Sequence, residues 1–106
     1  MQHLRRGRLF GASSAPEVGE RVERLVELGG SVIEQIVSGE LDQPVEFNQD
    51  HDEWFVLLQG GAELEVEGET LVLGSGEWMF LPSGTPHRLV ATTPGSSWLA
   101  VHGSGR

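Results

Sequence analysis

The stretch that decides the fold runs from Gly76 to His87 and reads GEWMFLPSGTPH. Its first glycine permits the positive φ angle of a tight hairpin turn, which residues with a side chain adopt only at a cost. Pro82 ends a strand because it lacks an amide donor, and Gly84 lets the following loop turn sharply. His87 then begins the next strand, where its ring can point into the interior of a barrel. The stretch therefore predicts a strand, a sharp loop and a second strand with one imidazole on its inner side.

Short β-type runs surround this stretch on both sides. Between residues 62 and 67 the sequence AELEVE alternates strictly, which is typical of a strand with one buried and one solvated face. Gly68 and Glu69 then make a two-residue hairpin link into a run at residues 70–73. Further runs rich in β-branched and aromatic residues lie at residues 31–37, 53–59, 78–81, 87–92 and 97–102. Short strands at such close spacing, without intervening helices, predict an all-β antiparallel sandwich or barrel.

Composition sets the remaining bounds. The chain has 106 residues, the size of one domain, and its 16 acidic residues against 7 basic ones give a formal charge of −9. Such a charge repels phosphate backbones and anionic lipid, so it disfavours binding to nucleic acid or to a membrane surface. Because the sequence contains neither cysteine nor lysine, it offers no disulfide, thiolate nucleophile or side-chain Schiff base. The sequence predicts neither a signal peptide nor a membrane-spanning run, and we expect a cytoplasmic protein.

The first thirty residues are predicted to form an N-terminal arm or extension ahead of a domain at residues 31–106. Three arginines, Arg5, Arg6 and Arg8, lie near its beginning. They could bind an acidic partner, form a mobile arm, or fold onto the acidic body of the same protein or of its neighbour. Residues 17–28, EVGERVERLVEL, fit both a helical stripe and an extended strand. We expect a short helix or turn there.

Two stretches of the chain resemble the two sequence motifs of the cupin family. The second family motif is G-x5-P-x-G-x2-H-x3-N, which this chain matches at Gly76, Pro82, Gly84 and His87, while Ala91 replaces the final asparagine. The tail of the first motif, E-x6-G, is matched at positions 53 and 60. The resemblance extends over residues 31–102, and the run FNQDHDEWFVLLQGGAEL is similar to short bacterial single-domain cupins of unclear function. It implies a single-domain cupin jelly roll, which is a small antiparallel β-barrel.

The resemblance also implies a metal ion inside the barrel, held in the family by an H-x-H pair, the first-motif glutamate and the second-motif histidine. Glu53 and His87 match the last two of these ligands. The histidine pair does not carry over, because one permitted spacing places Phe47 and Gln49 there and the other places the Glu and Asn at positions 46 and 48. One divalent ion (Fe, Mn, Zn or Ni) is the implied cofactor. We expect it to be held weakly or not at all, since catalytic transition-metal sites usually have three protein ligands.

His51 offers a third ligand in place of the missing pair. If residues 49–55 are extended, Gln49, His51 and Glu53 lie on one face by the two-residue period of a strand. His51, Glu53 and His87 would then make a set of two histidines and one carboxylate, suited to Fe(II), Mn or Zn, and Gln49 could add an oxygen. The family instead makes a turn just before this glutamate, which would leave His51 in the turn and facing solvent. The sequence leaves both alternatives open.

Three further residues are predicted to line the interior pocket. Phe55 has the same parity as Glu53 on its strand. Phe47, in a histidine's place, makes the pocket more apolar and blocks one coordination position. His102 shares the parity of Trp98 on the last strand and is interpreted as a strand-end residue that can reach the pocket.

Two main classes of function follow from these residues. The first is a small-molecule pocket with a degenerate metal site, which serves as a ligand-binding or sensory module. The second is a metal-dependent enzyme of oxygenase, isomerase or lyase type, in which Glu53, His87 and His51 hold the ion. The missing histidine pair favours the first class, and a structural role with the barrel packed shut is a third option. From the family we also expect a homodimer in which an N-terminal segment covers an edge strand of the partner's sheet.

Overall fold

The structure, a computed structural model, describes residues 4–103 and consists almost entirely of β-strands. The strands are β1 (Glu20–Leu28), β2 (Ser31–Ser38), β3 (Val45–Phe47), β4 (Glu53–Gln59), β5 (Gly61–Val66), β6 (Glu69–Gly74), β7 (Trp78–Leu81), β8 (His87–Thr92) and β9 (Ser96–His102). Within the described range the only helical element is one 3₁₀ turn at Ala12–Ser14. The all-β prediction is confirmed.

The strands form two antiparallel sheets that pack as a jelly-roll sandwich. One sheet has five strands in the order β1-β2-β9-β4-β7, and the other has four in the order β3-β8-β5-β6. Neighbouring strands are mostly distant in sequence, as where β9 lies between β2 and β4. The chain therefore crosses repeatedly between the sheets, and any site between them is built from residues far apart in the sequence.

The core lies between the sheets because side chains alternate across each strand. On β4 the inward side chains of Phe55 and Leu57 are buried, and on β5 those of Ala62 and Leu64 are buried as well. The Phe55 ring meets the ring of Trp98 edge to face, with their centroids 5.4 Å apart. Burial of one large apolar side chain stabilises the fold by roughly 1.5–3 kcal/mol, so this inward set is the main support of the sandwich.

Residues 20–28 form a strand, so the expectation of a short helix or turn at residues 17–28 is wrong. β1 pairs with β2 along its whole length, and a turn at residues 29–30 joins the two. A register shift between Arg24 and Val26, which is a β-bulge, moves the later residues of β1 to the other face. With this bulge a strand can bury apolar residues that are three and four positions apart in the sequence. The same spacing is typical of the apolar stripe of a helix, which is why the sequence favours a helix.

The turn ahead of β7 has the positive φ angle that the sequence predicts, but it joins β6 and β7, which belong to different sheets, and so is not a hairpin. Gly76 adopts a φ angle of +86°, a conformation that residues with a Cβ atom avoid. Its amide donates to the Leu57 carbonyl at 2.7 Å, which ties the turn to β4. The turn thereby fixes where β7 begins beside β4.

The segment before β1 packs along the outer face of the five-stranded sheet. The buried side chain of Gln35 accepts a hydrogen bond from the Phe10 amide at 2.8 Å and donates one to the Phe10 carbonyl at 2.9 Å. The Arg21 guanidinium covers the Phe10 ring, 4.1 Å from its centroid. β1 belongs to the same sheet as β2, and the division of the chain at residue 30 stays a prediction. Across residues 4–103 no helix has the length and apolar character needed to cross a membrane.

Candidate functional site

A cavity of about 160 Å³ lies between the two sheets and is partly open to solvent. The polar side chains that line it are Glu20, Glu34, Gln49, Glu53, His87 and His102. The rest of the wall is apolar and includes the rings of Phe47, Phe55 and Trp98. No arginine of the described residues lines the cavity. The structure thus brings most of the residues that the sequence singles out into one cavity.

Strand register brings the polar groups together. Glu53 begins β4 opposite His102, the last residue of β9. His87 begins β8 opposite Phe47, the last residue of β3. Because β4 and β8 belong to different sheets, their first inward side chains face each other across the cavity.

Glu53 and His87 present two hydrogen-bond acceptors to the cavity. The Oε1 atom of Glu53 lies 3.9 Å from Nε2 of His87, too far for a hydrogen bond, and both side chains are largely buried. Nδ1 of His87 lies 3.0 Å from the Thr85 carbonyl oxygen, which can only accept, so this nitrogen carries the proton of the neutral ring. Nε2 is then left as an acceptor. Phe47 stacks on the imidazole at a centroid distance of 5.2 Å and fixes its plane.

Gln49 links the Glu53 carboxylate to the loops before β4 and β8. Its Nε2 donates to Oε1 of Glu53 at 2.5 Å. The Gly84 amide donates to the Gln49 carbonyl at 2.8 Å, which joins the loop before β4 to the loop before β8. The glutamate is therefore held in place by a neutral donor rather than by a cation.

His51 lies apart from the pair formed by Glu53 and His87. A bend at residues 50–51 precedes β4, so the extended alternative for this stretch is wrong and the alternative with a turn is right. The ring is only partly exposed, however, because its Nε2 lies 2.9 Å from Nδ1 of His102. The ligand set of His51, Glu53 and His87, which an extended strand would produce, is not assembled.

Two acidic residues of the cavity are missing from the sequence-based candidates. Oε1 of Glu34 lies 2.8 Å from Nε2 of His102, so Glu34, His102 and His51 form a hydrogen-bonded chain. Glu20 accepts a hydrogen bond from the Ser38 hydroxyl at 2.7 Å. Burial raises the pKa of the Glu20 carboxyl, and the Ser38 hydrogen bond partly opposes that rise. The alternation of β2 could have identified Glu34, whereas the expectation of a helix at residues 17–28 concealed Glu20.

The donors of this site do not fit a tightly held transition metal. Within residues 4–103 no group of three or more His, Cys, Asp or Glu side chains is placed to hold a metal ion. Glu53 and His87 offer two donors, and the amide nitrogen of Gln49 already donates to Glu53. Phe47, which the resemblance places at a ligand position, contributes only an apolar ring. Catalytic sites for zinc and related ions usually have three protein ligands, one more than the charged and imidazole donors here.

Comparison with known proteins gives a family and one curated relative. A family model described as "Cupin domain" matches residues 32–102. An uncharacterized protein of Aquifex aeolicus (strain VF5) is 38% identical over 55 residues, which are 52% of this chain and 46% of that protein. The chain thus spans about half the length of this curated relative.

Solved structures share the architecture. A candidate mannose-6-phosphate isomerase of Ralstonia eutropha JMP134 is 32% identical with a TM-score of 0.76, and the match covers 93% of this chain and 97% of that one. KdgF from Halomonas sp. is 22% identical with a TM-score of 0.74, covering 83% of this chain and 82% of its own. The second likeness concerns the fold alone, whereas the first also extends to the sequence.

Proposed function

The chain belongs to the cupin family, and we propose that its interior pocket binds a small molecule that presents hydroxyl or ammonium groups and carries no negative charge. On this proposal the protein is a ligand-binding or sensory module rather than a metal-dependent enzyme. Three properties of the cavity support it: its acceptors, its charge and its size.

The observation that carries the proposal is the pair of acceptors formed by Glu53 and His87. Their facing atoms are 3.9 Å apart, and neither can donate to the other while the ring is neutral and the carboxyl is ionised. Oε1 of Glu53 accepts a hydrogen bond from Gln49 and can accept a second one, so a ligand hydroxyl or ammonium placed between the two residues could donate both to Oε1 and to Nε2 of His87. A ligand rich in donors is therefore the chemical complement of this pair.

Charge supports the same class of ligand. Three carboxylates, those of Glu20, Glu34 and Glu53, line the cavity, and no arginine within the described range faces them there. Electrostatic interactions in an enclosed site are several times stronger than in water. An anionic ligand would enter this field without a counter-charge, whereas an ammonium group would be attracted by it.

The size of the cavity limits the ligand to a few carbon atoms. Its volume of about 160 Å³ is close to that of an engineered cavity of about 150 Å³ that holds benzene, a molecule of six non-hydrogen atoms. Pockets for drug-sized ligands are larger, about 300–1,000 Å³. We therefore expect a ligand about the size of a three-carbon polyol or amino alcohol.

The name of the Ralstonia protein points to a phosphosugar, and the cavity described here does not favour one. A phosphate group needs arginine, lysine or a cluster of amide donors. The chain has no lysine, and its charged cavity groups are carboxylates. We infer that any shared sugar chemistry would concern hydroxyl groups rather than the phosphate.

Three probes with one carbon skeleton test this proposal: serinol, which is cationic, glycerol, which is neutral, and glycerate, which is anionic. We expect calorimetry or ligand-observed NMR to give the order serinol, glycerol, glycerate. The dissociation constant for glycerate should be at least about tenfold weaker than for serinol, which corresponds to about 1.4 kcal/mol. The Glu53→Gln variant should lose most of this preference.

The matched control is Glu69→Gln, which removes one carboxylate from an exposed position on β6. It should leave the order and the affinities unchanged. Glycerate binding as tightly as serinol, or a preference that Glu53→Gln leaves intact, would overturn the proposed function.

A further inference from the structure

Glu34 is a second carboxylate that faces the cavity from the same sheet as Glu53. Glu53 begins β4 and Glu34 lies in the middle of β2, and both line the cavity. Oε1 of Glu34 lies 2.8 Å from Nε2 of His102. An ionised carboxylate can only accept, so His102 donates this hydrogen bond. Because the two oxygens of a carboxylate accept about four hydrogen bonds, Glu34 keeps most of its capacity for a ligand.

A chain of two imidazoles holds Glu34 in place. When Nε2 of His102 donates to Glu34, Nδ1 of the neutral ring is an acceptor. That atom lies 2.9 Å from Nε2 of His51, which then donates to it. Arg24 lies opposite Glu34 on β1, but its side chain is exposed and is not part of the cavity wall. While both rings are neutral, the chain gives Glu34 one hydrogen bond and no positive charge.

The cavity wall between the two carboxylates is apolar. Ala100 on β9 lies opposite Glu34 on β2 and opposite Phe55 on β4, and it is fully buried. Because its side chain is a single methyl group, it leaves space above the sheet between Glu34 and Phe55. Leu89 and Trp98 line the same cavity. A ligand that extends from one carboxylate to the other therefore passes over apolar side chains.

Strand register sets the spacing of the two carboxylates. Glu53 lies opposite His102 and Glu34 lies opposite Ala100, and β9 separates β4 from β2. With about 4.8 Å between strands and about 3.3 Å per residue, the Cα atoms of the two glutamates are roughly 12 Å apart. Both side chains project from the same face of the sheet, so their carboxylates are separated by a similar distance.

This spacing defines the length of a ligand that reaches both groups. A charge-assisted hydrogen bond of about 2.8 Å at each end leaves roughly 6 Å between the two donor atoms of the ligand. With carbon–carbon bonds of about 1.5 Å, an extended chain of about four carbon atoms spans that distance. A diamine of this length has about six non-hydrogen atoms, the number in the benzene that a cavity of about 150 Å³ holds. The cavity here, of about 160 Å³, has room for it.

We propose that the ligand of the cavity is a diamine with about four carbon atoms between its ammonium groups, one bound by Glu53 and His87 and the other by Glu34. This inference rests on the proposed function and narrows its class of ligand. Each positive charge meets a carboxylate, and the methylene chain between them meets the apolar wall. Glu34 is then the residue that distinguishes a diamine from a monoamine.

Glu20, the third carboxylate of the cavity, is too distant to bind the second ammonium group. It lies opposite Ser38, which lies opposite Ser96, whereas Glu53 lies opposite His102. The levels of Ser96 and His102 on β9 are roughly 20 Å apart at about 3.3 Å per residue. The Ser38 hydroxyl already donates a hydrogen bond to Glu20.

Two amines of equal size test the second ammonium group. Putrescine has an ammonium group at each end of its carbon chain, and pentylamine has a methyl group in place of one of them. Calorimetry should give a dissociation constant at least about tenfold lower for putrescine, because hydrogen bonds between charged groups have effects of this size. Ethylenediamine is too short to reach both carboxylates and should bind no more tightly than pentylamine.

The Glu34→Gln variant should bind putrescine and pentylamine equally, within about twofold. Its amide oxygen can still accept the hydrogen bond from His102, so only the charge is lost. The matched control is Glu20→Gln, which removes a carboxylate from the same cavity at a greater distance and should keep the tenfold preference. Unchanged far-ultraviolet circular dichroism spectra check that both variants fold.

The outcomes separate this inference from the proposed function. Equal binding of putrescine and pentylamine to the wild type, lost in Glu53→Gln, would overturn the diamine and leave the proposed function standing. Binding of neither amine would overturn both. A preference for putrescine that Glu34→Gln leaves intact, or that Glu20→Gln abolishes as well, would overturn the role of Glu34 and the inference with it.

Discussion

At His87, a hydrogen bond to one backbone carbonyl determines which ring nitrogen can accept a hydrogen bond in the pocket. The Thr85 carbonyl holds the Nδ1 proton, which leaves Nε2 as an acceptor beside the Glu53 carboxylate. The same geometry would orient a metal ligand. On the proposed function, the Phe47 ring and the Gln49 amide beside these two residues suit the site to a ligand that donates hydrogen bonds rather than to a metal ion.

We expect the purified protein to contain well below one equivalent of Fe, Mn, Zn or Ni. Only Glu53 and His87 converge as strong donors, and a firmly held catalytic ion usually needs three. Elemental analysis after purification without chelators measures this content. A full equivalent of one metal that is lost in the His87→Ala variant would contradict the expectation and favour the metal-dependent enzyme. His51→Ala should leave the metal content unchanged, because the His51 ring faces His102.

Glu20 introduces a pH dependence into the stability of the fold. Burial raises the pKa of its carboxyl above the ordinary value of 4.5, so the folded protein binds this proton more tightly than the unfolded chain does. The stabilising contribution of this group is complete below the pKa of the unfolded chain and is lost as the pH rises through the raised value. The Glu20→Gln variant cannot ionise and avoids that loss. Urea denaturation should show that the variant gains more stability over the wild type near pH 7 than near pH 4.

An equal difference between the Glu20→Gln variant and the wild type at the two pH values would contradict this account. The hydrogen bond from Ser38 does not confuse the test, since the amide oxygen of glutamine can accept it as well.

The two sequence motifs predicted some of the residues that line the cavity. The other lining residues depend on how the strands pair. Glu53 and His87 follow from the motif spacing, because punctuation by glycine and proline fixes where each strand begins. The position of His51 depends on a bend, and bends before a strand leave little trace in a sequence. Glu34 lines the cavity from β2, and the partner of β2 in the sheet is β9, more than fifty residues later in the sequence. Pairings over such distances are set by the whole fold and not by local pattern.

At the scale of secondary structure, the turn between β4 and β5 is tightly constrained by a glycine. Gly60 has a φ angle of +99°, and a Cβ atom built there would lie 2.2 Å from Oγ of Ser96. That serine is buried and its hydroxyl donates to the Thr93 carbonyl at 2.6 Å, so it has little room to move. The turn therefore requires glycine both for conformation and for space.

Gly60→Ala should lower the free energy of unfolding by at least about 2 kcal/mol, the sum of backbone strain and overpacking. The matched control is Gly68→Ala in the β5–β6 turn, where φ is also positive, at +83°, but the space for a Cβ atom is open. Because only the strain applies there, we expect a smaller loss of about 1 kcal/mol. Equal losses in the two variants, measured by urea denaturation, would show that contact with Ser96 is unimportant.

The strands β2 and β4 to β9 could be predicted from the alternation and turn residues. The three-residue strand β3 is not among the predicted strands, and neither is β1. Its bulge between Arg24 and Val26 breaks the two-residue period in mid-strand, so the apolar spacing matches a helix as well as a strand. What decides in favour of the strand is the open edge of β2, which pairs with it along its whole length. Such a tertiary preference overrides a weak local pattern.

At the scale of the whole molecule, one sheet serves two surfaces. Glu53 and Trp54 are consecutive on β4, yet the first lines the cavity and the second lies on the outer side of the sheet, opposite Phe80. The alternation of a strand thus places the proposed ligand site and an aromatic outer surface on opposite sides of a single layer. The charge of the chain is divided unevenly as well, since three of its seven arginines precede residue 9 and all sixteen acidic residues follow position 16.

The central claim is that Glu53 and His87 jointly receive a donor-bearing ligand inside the cavity. Nuclear magnetic resonance of side-chain carboxyl carbons and imidazole nitrogens, recorded during a titration with serinol, tests it most directly. We predict that the largest shifts occur at the Glu53 carboxyl carbon and at Nε2 of His87, while the exposed Glu69 carboxyl does not move. Shifts confined to other residues, or equal shifts with glycerate, would contradict the account.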